Sequence, residues 1–146
     1  MYYSVTGSSQ MPSPIGTWTL NSFYLTDTVT GEKHMPFGRE PIGCIVIQPS
    51  GRMIALLTPS GRKAPTTVED KAAAFDAMVA YSGQYRIEGQ EFVTSVEMAW
   101  FEPWVGGEQR RRYRLDGDTM NIESAPAKMP GLENPVVGTL VWTRES

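Results

Sequence analysis

The sequence predicts an all-β chain: a single closed antiparallel up-and-down β-barrel of about eight strands, with one short α-helix. Three observations lead there. Short runs rich in β-branched and aromatic residues recur between Gly, Pro, Asn and Asp turn signals. A single segment combines helical spacing with a helix-start signal. Finally, a sheet of many short consecutive strands leaves two unpaired edges unless it closes on itself, and closure removes that liability.

The elements follow in order. Residues 1–14 mix Ser, Gly, Gln and Pro without periodicity and read as a disordered or extended tail ahead of a barrel domain at 15–146. From Thr17 to Leu25, Trp18, Leu20 and Tyr24 alternate with Thr19, Asn21 and Phe23, a period close to 2 and hence a strand. Asp27 to Pro41 carries Thr-Gly, Pro-Phe-Gly and Glu-Pro pairs and reads as a long connection holding His34. The apolar runs Gly43–Gln48 and Arg52–Thr58 flank Pro49-Ser50-Gly51, a hairpin turn.

In Thr66–Ala80, Thr67 with Asp70, or Thr66 with Glu69, can cap a helix that places Ala72, Phe75 and Val79 on one side. Tyr81-Ser82-Gly83 is expected to end that helix, which would cap an open side of the barrel with Phe75 and Val79 inward. Strands are then expected at Gln84–Glu88, Glu91–Phe101, Glu108–Leu115 and Thr119–Ser124. A Pro-rich loop leads to the last strand at Val136–Arg144.

Composition narrows the function. A net charge of -3 gives no general attraction for a polyanion, so nucleic acid is not an expected partner. No apolar run approaches the length of a membrane span, and residues 1–14 lack the basic start and apolar core of a secretory leader, so a membrane partner is not expected either. The single Cys44 cannot form an internal disulfide. The expectation is a cytoplasmic protein, monomer or homodimer. One His and one Cys fall short of a zinc ligand set, and no phosphate-binding glycine loop is present, so neither a metal nor another cofactor is implied.

Four motifs, in order and spacing, carry a family resemblance: Gly16-Thr17-Trp18, Pro36-Phe37-Gly38 with Pro41-Ile42-Gly43, Ala80-Tyr81-Ser82-Gly83, and Leu140-Val141-Trp142-Thr143-Arg144. With Pro103-Trp104-Val105-Gly106 and Glu108-Gln109 they resemble the lipocalin-like domain family of bacteria and fungi over roughly Gly16 to Arg144. The resemblance implies a small-molecule barrel. It also implies that Trp18 and Arg144 pack together and close one end, a structural pair that fits the attraction of a guanidinium for an indole face. The family pattern further implies a His near Thr94 or Ser95, where this chain has none.

Candidate site residues come from pairing Glu91–Phe101 with Glu108–Leu115. Three arginines at period 2, Arg110, Arg112 and Arg114, must face water, because a buried unpaired charge is costly; Arg111 then points inward. The expected hairpin register sets Glu97 opposite Arg111 and Ser95 opposite Tyr113. Arg111 would bind a carboxylate, phenolate or enolate oxygen, and Glu97 would orient it or move a proton. The alternative is a buried structural ion pair.

His34 is a candidate base near a barrel mouth. Gln109, Tyr81, Met53, Met98, Trp100 and Phe101 are candidate ligand contacts, and Trp104, in a loop, a candidate lid. Two functions fit. One is binding of a small, largely apolar metabolite. The other is a cofactor-independent isomerase or cyclase acting on a secondary-metabolite intermediate, with Glu97, Arg111, Tyr113 or His34 polarising it or shuttling a proton.

Overall fold

The computed structural model describes residues 13–146. Strands β1 (Gly16–Asp27), β3 (Ile42–Ile47), β4 (Arg52–Thr58), β5 (Val79–Glu88), β6 (Glu91–Ala99), β7 (Glu108–Asp116), β8 (Thr119–Glu123) and β9 (Val136–Arg144) pair antiparallel in chain order. Pairing of β1 with β9 closes this sheet into an eight-stranded barrel, and the two-residue strand β2 (Lys33–His34) adds to the far end of β1. One helix, α1 (Val68–Asp76), joins β4 to β5, and a single 3-10 turn (Glu102–Trp104) joins β6 to β7.

The turns follow from residue type: Gly51, Gly89 and Gly117 sit at positive φ in three tight hairpins, where a β-carbon would be strained. The disordered or extended tail expected at residues 1–14 lies, for residues 1–12, outside the described residues. Ser13 and Pro14 belong to the barrel end, since Ser13 O accepts from Arg144 Nη2 at 2.9 Å and Pro14 O from Trp18 Nε1 at 2.9 Å.

One end of the barrel is packed solid. Trp18, Leu20, Ile47, Met53 and Met120 fill it, each at most 5 % exposed. Arg144 lies over the Trp18 ring at 4.2 Å and donates to the Ile15 carbonyl, so this end is strapped shut by residues on either side of the barrel seam.

Two bulges change the faces expected from simple alternation. The register of β1 against β9 shifts between Leu20 and Ser22, so Phe23 and Leu25 turn inward and Tyr24 turns outward beneath Lys33. The register of β5 against β6 shifts between Ser82 and Gly83, which leaves Glu97 as the extra residue of β6.

The helix is shorter than its periodicity implies. Its capping box is formed by Thr67 and Asp70, but it stops at Asp76, and Tyr81-Ser82-Gly83 belong to β5 rather than to a helix terminus. The β-branched Val79 and aromatic Tyr81 find cross-strand partners in Leu57 and Ala55, and this pairing overrides helical spacing. No residue of α1 is buried, and Phe75 is exposed, resting near Trp100 rather than entering the barrel.

Candidate functional site

The other half of the barrel is hollow. A cavity of about 480 Å³ opens there, within the range of sites that hold small organic ligands. Each strand of the seam and hairpins contributes inward side chains: Phe23 and Leu25 from β1, Ile45 from β3, Ala55 and Leu57 from β4, Val79 and Tyr81 from β5, Phe92 from β6. Ile122, Leu140 and Trp142 complete the wall on β8 and β9, and Trp104 and the segment Ser124–Ala127 with Met129 stand at its margin. Among the described residues, no side chain lining the cavity apart from Arg111 carries a charge.

Arg111 reaches the cavity because β7 alternates, its even-numbered arginines exposed and its odd-numbered residues half-buried. Its Nη1 donates to the Arg110 carbonyl at 2.9 Å and its Nη2 to Gln109 Oε1 at 2.6 Å. Both acceptors are neutral. The outward-facing Arg110 and Arg86, in contrast, form a five-residue ion network with Glu88, Glu91 and Glu108 over the buried Val93.

The expected partnership of Arg111 with Glu97 does not form. Arg111 stands opposite Phe92, and β7 begins pairing only at Ser95, because the Glu102–Trp104 turn and Gly106-Gly107 close the hairpin around Val96. An odd slip of register exchanges faces. Glu97, at the bulge, therefore points outside, where it accepts from Arg52 Nη1 at 2.7 Å. Ser95 stands opposite Glu108 rather than Tyr113, and Tyr113 is opposite nothing on β6: it pairs with Ile122 on β8. Tyr113 does turn toward the core, edge-on to Phe92 at 6.4 Å, but it is not among the cavity walls and borders a separate polar groove with Arg112 and Arg114.

The remaining candidates divide by position. Tyr81 and Trp104 line the cavity, their rings in edge contact at 5.3 Å. Burial pushes the Tyr81 phenol above its usual range, and the charge of Arg111 pulls in the opposite direction. Gln109 acts on the cavity through Arg111, whose guanidinium it holds. Trp100 packs between Phe75, Phe101 and Trp104, its indole Nε1 donating to the Phe75 carbonyl at 3.1 Å, so it supports Trp104 from outside.

Phe101 and Met98 lie on the exterior, and Met53 is sealed in the solid end. His34, in β2, is 3.7 Å from Glu32 and outside the cavity wall. Sequence reasoning missed Phe23, Leu25, Ser124 and Trp142 as walls of the site. A bulge hid the first two, while nothing in their local pattern marks the others. Among the described residues no three His, Cys, Asp or Glu side chains gather where a metal ion could sit.

With this geometry in view, the comparison with known families is decisive: residues 15–145 match the lipocalin-like domain. The chain belongs to the lipocalin-like domain family. None of the curated proteins compared with it matches. The lipocalin-like assignment fits the eight-stranded closure and the Trp18–Arg144 contact, and the half-hollow barrel is an arrangement suited to small-molecule binding.

Proposed function

We propose that this lipocalin-like barrel binds a small, largely apolar organic metabolite in its cavity. The single observation that carries the reading is the cavity itself: about 480 Å³ walled by aliphatic and aromatic side chains, with one guanidinium to orient what enters. A few polar groups in an otherwise apolar pocket give orientation, while the apolar walls supply most of the affinity. A reducing, cytoplasmic setting belongs to the same proposal, given the single cysteine.

Trp104 and Trp142 both line the cavity, so their emission serves as a built-in reporter. Titration with apolar organic compounds is expected to change that emission saturably. Ala55→Phe, which fills the cavity from β4, should weaken binding by at least about tenfold, as loss of the space for a ring implies. Retained affinity in a folded Ala55→Phe protein would place binding elsewhere.

A second reading, cofactor-independent cyclisation or isomerisation of a biosynthetic intermediate, draws on the character of the polar lining. Arg111, Tyr81 and Ser124 all carry hydrogen-bond donors, whereas the lining, among the described residues, has no Asp, Glu, His or Lys. Such a wall can polarise a carbonyl and fold a flexible chain, but it offers no ordinary base for proton abstraction. Cyclisation of a polarised substrate therefore suits it better than a proton shuttle through Glu97. Product formation on incubation with candidate intermediates would favour this second reading; recovery of the intermediate unchanged favours binding alone.

A further inference from the structure

We infer that the cavity selects a ligand with a planar oxygen anion, of which a carboxylate is the simplest, seated on Arg111 with its apolar body along Phe23, Leu25, Ile122 and Leu140. This rests on the binding function proposed above and names the chemical class of its ligand.

Charge provides the first argument. Arg52, Arg86, Arg110 and Arg144 each meet a carboxylate within 4.0 Å. Arg111 meets none among the described residues, although it is the one arginine that faces the apolar cavity. An arginine on the surface without a partner is neutralised by water and counterions. One set against apolar walls has less access to either, and its charge remains to be balanced. The guanidinium has five N–H donors, of which the two contacts to Arg110 and Gln109 use a part, and those contacts fix its plane. A fixed fork of donors fits a two-oxygen anion better than a single hydroxyl.

A free donor in the wall provides the second. Tyr81, in the cavity wall, has a hydroxyl that makes no hydrogen bond to any described residue. Such a donor in an apolar wall is placed to meet an oxygen of the ligand. Among the described residues the lining holds no acid, so a ligand oxygen anion would meet one cation and neutral donors there and no like charge. A cationic ligand would meet only repulsion at Arg111, and a neutral alcohol would leave the charge unbalanced.

The test compares ligands of matched shape. Decanoate, decanol and decylamine, then naphthoate and naphthylmethanol, are titrated against the intact chain by tryptophan emission and calorimetry. The acids are expected to bind about tenfold or more tighter than the alcohols, the increment of a charge-assisted hydrogen bond, with the amine weakest. Arg111→Met should abolish that preference while leaving decanol affinity nearly unchanged, and Arg111→Lys should keep part of it.

Equal affinity for acid and alcohol in the wild-type protein, or a preference that survives in folded Arg111→Met, overturns the inference and leaves apolar binding standing. Saturable binding by none of the five compounds overturns both. The wild-type ranking is read without any variant, so misfolding of Arg111→Met leaves the outcome decidable.

Discussion

Gly83 shows how much a single residue can decide. It lies where β5 crosses the β6 bulge, and a β-carbon there would come within 1.9 Å of the Ser95 carbonyl oxygen. Backbone atoms cannot step aside as the end of a flexible side chain can, so Gly83→Ala is expected to destabilise the barrel by about 3 kcal/mol or more, at the upper range of overpacking costs. A thermal melt checks this, and an unchanged midpoint would mean that the two strands do not approach so closely. The same bulge sends Glu97 outward to Arg52 and separates it from Arg111. The inward turn of Arg111 was legible, because a row of alternating arginines can have only one solvent face. Its partner was not legible. Which residue stands opposite depends on where the hairpin begins to pair, and the length of the closing turn sets that rather than any property of Glu97.

At the scale of elements, α1 is the clearest case of a local signal read correctly with a wrong extent. Thr67 Oγ1 accepts from the Asp70 amide at 3.0 Å, and Asp70 Oδ2 accepts from the Thr66 and Thr67 amides at 3.1 and 3.2 Å. Capping chemistry is written in adjacent residues and needs nothing distant. The helix ends early because Val79 and Tyr81 gain more as strand residues against β4.

With no residue of α1 buried, loss of the cap should be felt locally. Thr67→Ala is expected to cost the helix about 1 kcal/mol, seen as faster amide hydrogen exchange over residues 68–76, while the global melting temperature barely moves. A large drop in the global midpoint would show that the helix braces the barrel. Acid should act in the same direction. The amides of Thr66 and Thr67 hold the Asp70 carboxyl below its usual range, so its contribution is present above the unfolded-state pKa and fades as pH falls through the folded-state value. Exchange protection of α1 should therefore fade over that acid interval.

For the molecule as a whole, the closed end and the hollow end are separable. Arg144 covers Trp18, donates to the Ile15 and Ser13 carbonyls, and lies apart from the residues that line the cavity. Arg144→Met is thus expected to lower stability by about 2 kcal/mol, from the lost cation–π contact and hydrogen bonds, with ligand affinity essentially retained. Calorimetric melting together with a ligand titration checks both halves. Loss of binding at unchanged stability would tie the two ends together.

The Trp18–Arg144 seal came from the family resemblance. The strand-by-strand order, the tight turns and the closure into a barrel were legible in the residue pattern alone. All of these depend on alternation, turn chemistry and the cost of open sheet edges, which act over neighbouring residues or on the sheet as a class. Which side chains share the cavity was settled in the folded barrel. Bulges at Asn21 and Glu97 and the late start of β7 shift faces by one residue, and a shift that small leaves the hydrophobic pattern nearly intact while exchanging the inside of a barrel for its outside.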